Sequence, residues 1–149
     1  MYRLEWEFDK YIVATVDPGV TTAIVIWDHG SHIYSNIAKG DLHVIAGNFA
    51  RILNYHKVQK VIIEAMDVRT SSAVSLCAGV KGDLSKLAYI IGALQYVSKN
   101  ITMVTYAQWA GQLTYKQLRN ILRIKFKFDA KNDHIAAAYG IGLWGKGLL

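Results

Sequence analysis

The chain has a single proline, Pro18, and a single cysteine, Cys77. A lone cysteine forms no internal disulfide and cannot alone build a zinc site. That excludes a disulfide scaffold and a cysteine-zinc module, and the expected compartment is reducing and cytoplasmic. No apolar stretch approaches the roughly 18 residues of a membrane-spanning helix. The opening residues Met1-Tyr2-Arg3-Leu4-Glu5-Trp6-Glu7-Phe8-Asp9 are acidic and aromatic, unlike a signal or transit peptide. Internal repeats, low-complexity tracts and linkers are also missing. The 149 residues therefore read as one domain, with 1–10 as an N-terminal extension. Acid is scarce: 11 Asp and Glu stand against 17 Lys and Arg, a formal charge of +6 that favours a polyanionic partner. The imbalance is concentrated late. Lys99, Lys116, Arg119, Arg123, Lys125, Lys127 and Lys131 share their segment with one acid, Asp129.

What is present is a series of short apolar, β-rich runs. Residues 11–16, 22–27 and 32–37 are three of them, with Asp28-His29-Gly30-Ser31 as a turn signal. Short connections make this an antiparallel meander, because parallel neighbours need long crossovers. The period then changes. Asp41 can cap a helix with Leu42, Ile45, Ala46, Phe49, Ile52 and Leu53 on its apolar face. Lys60-Val61-Ile62-Ile63-Glu64 is a buried strand. A long helix follows with Leu84, Leu87, Ala88, Ile91 and Leu94 on one face, then the strand 101–105 and helices over about 107–127 and 132–145. The order βββαβαβαα predicts an α/β domain: a five-stranded mixed sheet with helices on both faces.

The chemistry sits at strand ends. Asp17 closes the run Tyr11–Val16 and is followed at once by Pro18-Gly19; Glu64 closes Val61-Ile62-Ile63. A carboxylate at the tip of a buried strand is costly unless something binds it. Each acid alone is most simply a surface strand end. Two at the same kind of place point to adjacent carboxylates, whose repulsion a divalent cation relieves, and hard oxygen donors suit Mg²⁺ or Mn²⁺. The last helix adds Asn132 or Asp133 as N-cap. Its His134 lies in the first turn, where the helix dipole disfavours imidazolium and favours a neutral, metal-ligating ring.

The ordered set Asp17-Pro18-Gly19, Glu64 and a final helix with His134 and the tail Ala138-Tyr139-Gly140-Ile141-Gly142 resembles the RuvC-type Holliday junction resolvases. These belong to the RNase H-like nuclease superfamily, and the resemblance covers nearly the whole chain after about residue 11, as a compact phage or bacterial member. It implies an RNase H-like fold and a homodimer that cuts four-way DNA junctions. It also implies two Mg²⁺ or Mn²⁺ ions held by Asp17, Glu64 and last-helix residues, with Asp17 bridging. The chain departs from the family at one place. The family's last Asp falls three residues after His134, where this chain has Ala137. An engineered inactive variant, a naturally degenerate site, and a shifted alignment with Asp133 as the acidic ligand are three explanations. The implied consequence is a protein that grips its junction while cutting it poorly.

For DNA contacts, Lys116, Arg119, Arg123 and Lys127 fall three or four apart and form one stripe if helical, with few acids nearby. A solvated helix face is the plain alternative. Arg69 lies in the polar stretch after Glu64, which by resemblance probes the junction centre, with Met66 and Val68 as an apolar wedge. Tyr89, Gly92, Ala93 and Tyr96 suit either a dimer interface or the core. Other readings are another RNase H-like nuclease (YqgF-type or an RNase) and a non-catalytic junction-binding protein. The phosphate-loop likeness of Asp17–Thr22 to actin-like ATPases fails on chain length.

Overall fold

The computed structural model describes residues 4–65, 83–98 and 100–149. Five strands form one sheet in the order β3-β2-β1-β4-β5. Strands β1 (Ile12–Asp17), β2 (Thr21–Asp28) and β3 (Ser31–Lys39) make the antiparallel meander, and β4 (Lys60–Ala65) and β5 (Ile101–Thr105) join parallel to β1. The β2–β3 hairpin closes through His29 (φ 47°) and Gly30 (φ 81°), the two left-handed residues that a primed two-residue turn requires.

Alternation along the central strands divides the core into two layers. Val13, Ala23, Val25, Trp27 and Ile62 face one side, covered by the last helix, α6 (Asp133–Gly145). Ala14, Val16, Ile24, Ile26, Val61 and Ile63 face the other, covered by α2 (Leu42–Tyr55) and α3 (Asp83–Val97). Asp41 occupies the N-cap position of α2, but its carboxylate makes no capping bond. On α3, among the described side chains, Ile90 and Leu94 are buried, Leu87 and Ile91 are half-buried and Ala88 is exposed, so the predicted face is turned toward Ile90. An apolar run on nearly every side of a helix leaves periodicity little to discriminate with.

Two further departures matter. The predicted extension folds: α1 (Glu5–Lys10) buries Leu4 and Phe8, and Glu7 pairs with Lys60 at 2.9 Å. The predicted helix 107–127 is two helices, α4 (Tyr106–Trp109) and α5 (Tyr115–Phe126). Each starts with its own capping box, Thr105 with Gln108 and Thr114 with Gln117, and Gly111 (φ 60°) turns the chain between them.

Helix α6 lies unusually close to the sheet. A Cβ on Gly142 would fall 2.2 Å from Cζ2 of Trp27, so glycine is required there. The indole Nε1 of Trp27 donates to Thr15 Oγ1 (2.9 Å), and that hydroxyl donates to the carbonyl of Ala138 (2.7 Å). This buried relay ties α6 to β1 two residues before Asp17.

Candidate active site

Register and pleat bring the two acids together. β1 and β4 run parallel with Val16 opposite Ile63, so Asp17 and Glu64 are the next residues along neighbouring strands. Asp17 shares the face of Val13 and Thr15, and Glu64 shares that of Ile62; both therefore point toward α6. The turn after Asp17 is held by Thr22, whose hydroxyl donates to Gly19 O (2.7 Å) and accepts from Gly19 N–H (3.2 Å).

Asn132 is the N-cap of α6, its side chain accepting from the Ile135 N–H at 2.9 Å. This places His134 in the first turn with Nδ1 2.9 Å from Asp17 Oδ2. The structure thus pairs His134 with Asp17 directly and sets Glu64 on the neighbouring strand, near enough for the Asp17 charge to act on it. Asp133, beside them, is exposed and lies 3.6 Å from the Arg119 guanidinium. Ala137, one turn beyond His134, is fully buried within the core on this side of the sheet.

The electrostatics fit a pair of acids short of positive charge. Burial raises the pKa of Asp17, and the His134 contact only partly opposes it. Glu64 is pushed up to about 7, first by burial and then by the Asp17 charge, against a lowering hydrogen bond from Trp109. The Asp17 contact works against the neutral His134 ring expected from the helix dipole. Its hydrogen bond to Asp17 raises its pKa, outweighing burial, because a direct carboxylate contact is stronger than the end of a dipole. Two half-buried carboxylates in this state suit a hard divalent cation. Among the described residues, no three carboxylate, imidazole or thiolate groups are already gathered as a cation site. The donors present are the Asp17–His134 pair and Glu64.

A groove of about 630 Å³ opens next to Asp133, lined by Lys116, Gln117, Arg119, Asn120, Arg123, Asp129 and Asp133. Three of the four predicted basic residues, Lys116, Arg119 and Arg123, share it. Lys127 does not continue the stripe: it ends α5 in the left-handed conformation (φ 55°). Nor is the face free of acids, since folding brings Asp133 and Asp129 to it. Arg119 also has an internal task, donating to the carbonyl of Ala130 at 2.9 Å. Arg69, Met66 and Val68 lie outside the described residues.

Sequence reasoning missed the aromatic side of the site. Trp109 Nε1 donates to Glu64 Oε2 at 2.8 Å. Tyr106 packs edge-on against Trp109 (5.2 Å) and Tyr115 (6.0 Å). Tyr115 has its pKa raised, first by burial and then by Asp17, Glu64, Tyr106 and Asp133. The available signal was the position of Trp109 just beyond β5, the strand beside Glu64.

The domain has an RNase H-like fold, the fold of solved Holliday junction resolvases. No protein-family model and no curated protein sequence matches the chain, so the likeness is structural. RuvC of Thermus thermophilus in complex with a Holliday junction substrate superposes with a TM-score of 0.70 at 14% identity, covering 90% of this chain and 92% of that one. Thermus thermophilus RuvC in another structure gives 0.58 at 16% identity over 89% and 92%. The Fowlpox virus resolvase, solved with Holliday junction DNA, gives 0.60 at 19% identity over 92% and 99%.

Proposed function

We propose that this protein is a structure-selective endonuclease that recognises four-way DNA junctions and hydrolyses phosphodiester bonds with divalent metal ions, acting as a homodimer in the cytoplasm. The observation that carries the reading is the half-buried Asp17–Glu64 pair on adjacent parallel strands, beside a groove that presents Lys116, Arg119 and Arg123. The solved structures that share the fold include two in complex with Holliday junction DNA.

Asp17 and Glu64 would hold Mg²⁺ or Mn²⁺, with His134 and, secondarily, Asp133 as further donors. When bound, such ions would supply an activated water and charge stabilisation for the leaving 3′-oxygen. The protein's own part is to supply paired carboxylates on rigid strand ends, and to place the phosphate backbone by Lys116 and Arg123. Symmetric cutting of a four-way junction needs two sites related by a two-fold axis, hence a dimer. Tyr89 and Tyr96 on α3 are exposed, Tyr96 at 93%, and serve that interface rather than the core.

A second reading keeps the junction and removes the cutting. Ala137 is completely buried and contributes no donor, which favours a weakly cutting or non-catalytic junction binder. Gel-shift titrations with four-way, flap, linear duplex and RNA–DNA hybrid substrates in EDTA test the shared part. The four-way junction is expected to bind best; equal affinity for linear duplex, or preference for the hybrid, contradicts junction recognition.

A further inference from the structure

Two buried tryptophans pack against α6, and their N–H groups are used differently. That of Trp27 meets the neutral hydroxyl of Thr15, whereas that of Trp109 meets the ionisable Glu64. We infer that Trp109 is a positioning residue for the cation-binding site: its indole N–H holds Glu64 Oε2 and leaves Oε1 as the oxygen offered to a metal ion. The inference rests on the metal-nuclease reading above and goes beyond it.

Three features support the assignment. First, the donor is fixed. Trp109 is 3% exposed, and the edge of Tyr106 packs on it at 5.2 Å and 73°. The Tyr106 hydroxyl donates in turn to the Leu113 carbonyl and so holds the 110–114 turn. On its far side the indole presses on α6, where a Cβ on Gly140 would fall 2.7 Å from Cζ3. Second, the acceptor has one free oxygen. Among the described residues no other hydrogen bond reaches Glu64. A carboxylate with one oxygen engaged cannot swing freely between one-oxygen and two-oxygen ligation, so the orientation of the open oxygen is set in advance. Third, α4 delivers Trp109 to this contact. It is only four residues long, begins with its own capping box at Thr105, and ends at Trp109. A continuous helix through 107–127 would not require that separate start.

The test measures cation binding rather than turnover. Wild type and Trp109→Phe are titrated with Mn²⁺ by calorimetry, with melting curves as the folding control. Loss of an outer hydrogen-bond partner typically weakens metal binding roughly 10–100-fold, and that loss is the expected result for Trp109→Phe. Wild-type protein is also labelled with ¹⁵N at its indoles and titrated with Mg²⁺. The resonance missing from Trp109→Phe should shift, and should stay in place in Glu64→Gln. Unchanged Mn²⁺ affinity in a folded Trp109→Phe protein, or a Trp109 resonance unmoved by saturating Mg²⁺, overturns the inference. If Trp109→Phe does not fold, the wild-type and Glu64→Gln resonances still decide, because Trp109 is then assigned by elimination against the other three indoles. If wild-type protein binds neither Mn²⁺ nor Mg²⁺, the metal-nuclease reading itself fails and this inference goes with it.

Discussion

Removing the Glu64 charge should stabilise the metal-free protein at neutral and alkaline pH. Burial and the Asp17 charge hold this carboxyl at about 7 in the folded chain, against an ordinary 4.5. The folded state therefore keeps a proton that the unfolded state has released. Stability falls as pH rises from about 4.5 to about 7 and is level above that, the reverse of an ion-paired acid. At about 1.4 kcal/mol per pH unit, the full displacement corresponds to about 3 kcal/mol of destabilisation at pH 8. Glu64→Gln removes this term while its amide oxygen still accepts from Trp109. In EDTA at pH 8 the variant should unfold with a free energy higher by on the order of 2–3 kcal/mol, or roughly 5–10 °C in melting temperature for a chain of this size. At pH 4.5 the two proteins should converge. Saturating Mg²⁺ should stabilise the wild type and leave the variant nearly unchanged. Urea unfolding followed by circular dichroism measures all three. A wild-type stability that is flat in EDTA from pH 5 to 8, with no gain in the variant, would refute the account of the half-buried acid pair.

Other perturbations address the groove, the packing and the assembly. Lys116→Ala and Arg123→Ala should each weaken junction binding and lower the slope of log K against log salt by about 1, read from titrations at several salt concentrations. Gly142→Ala should destabilise the protein by about 1–3 kcal/mol or more, since the new methyl would meet Trp27; urea unfolding measures it. Tyr96→Glu, at an exposed position on α3, should leave the fold intact and shift the proposed homodimer to monomer in sedimentation experiments.

Much of this architecture is readable from the residues because strand signals here are strong. Short β-branched runs punctuated by Pro18-Gly19 and His29-Gly30 leave little choice of pairing, and both site carboxylates terminate such runs. What stays hidden depends on residues distant in sequence. The bond between Trp109 and Glu64 spans 45 positions, and the proximity of Asp133 to Arg119 exists only once α6 docks beside α5. The break at 110–114 is encoded by two Thr-x-x-Gln boxes, a signal that helical periodicity overrides unless the caps are read first. The rotated face of α3 and the folding of α1 were hidden for another reason. Apolar residues that can pack on either of two surfaces carry no periodic mark of which one they choose.

On the proposed reading, Asp17 and Glu64 bind the cations for cutting junction DNA, and position 137, a buried Ala here, is where the resemblance implies a further acidic ligand. One measurement tests it most directly: strand cleavage of an end-labelled four-way junction in Mg²⁺ or Mn²⁺ by the wild type, Ala137→Asp and Asp17→Asn. Ala137→Asp should cut faster than the wild type by roughly tenfold or more, and Asp17→Asn should not cut, while all three still bind the junction in EDTA. Equal rates for the wild type and Ala137→Asp, or cleavage that survives Asp17→Asn, would contradict the account.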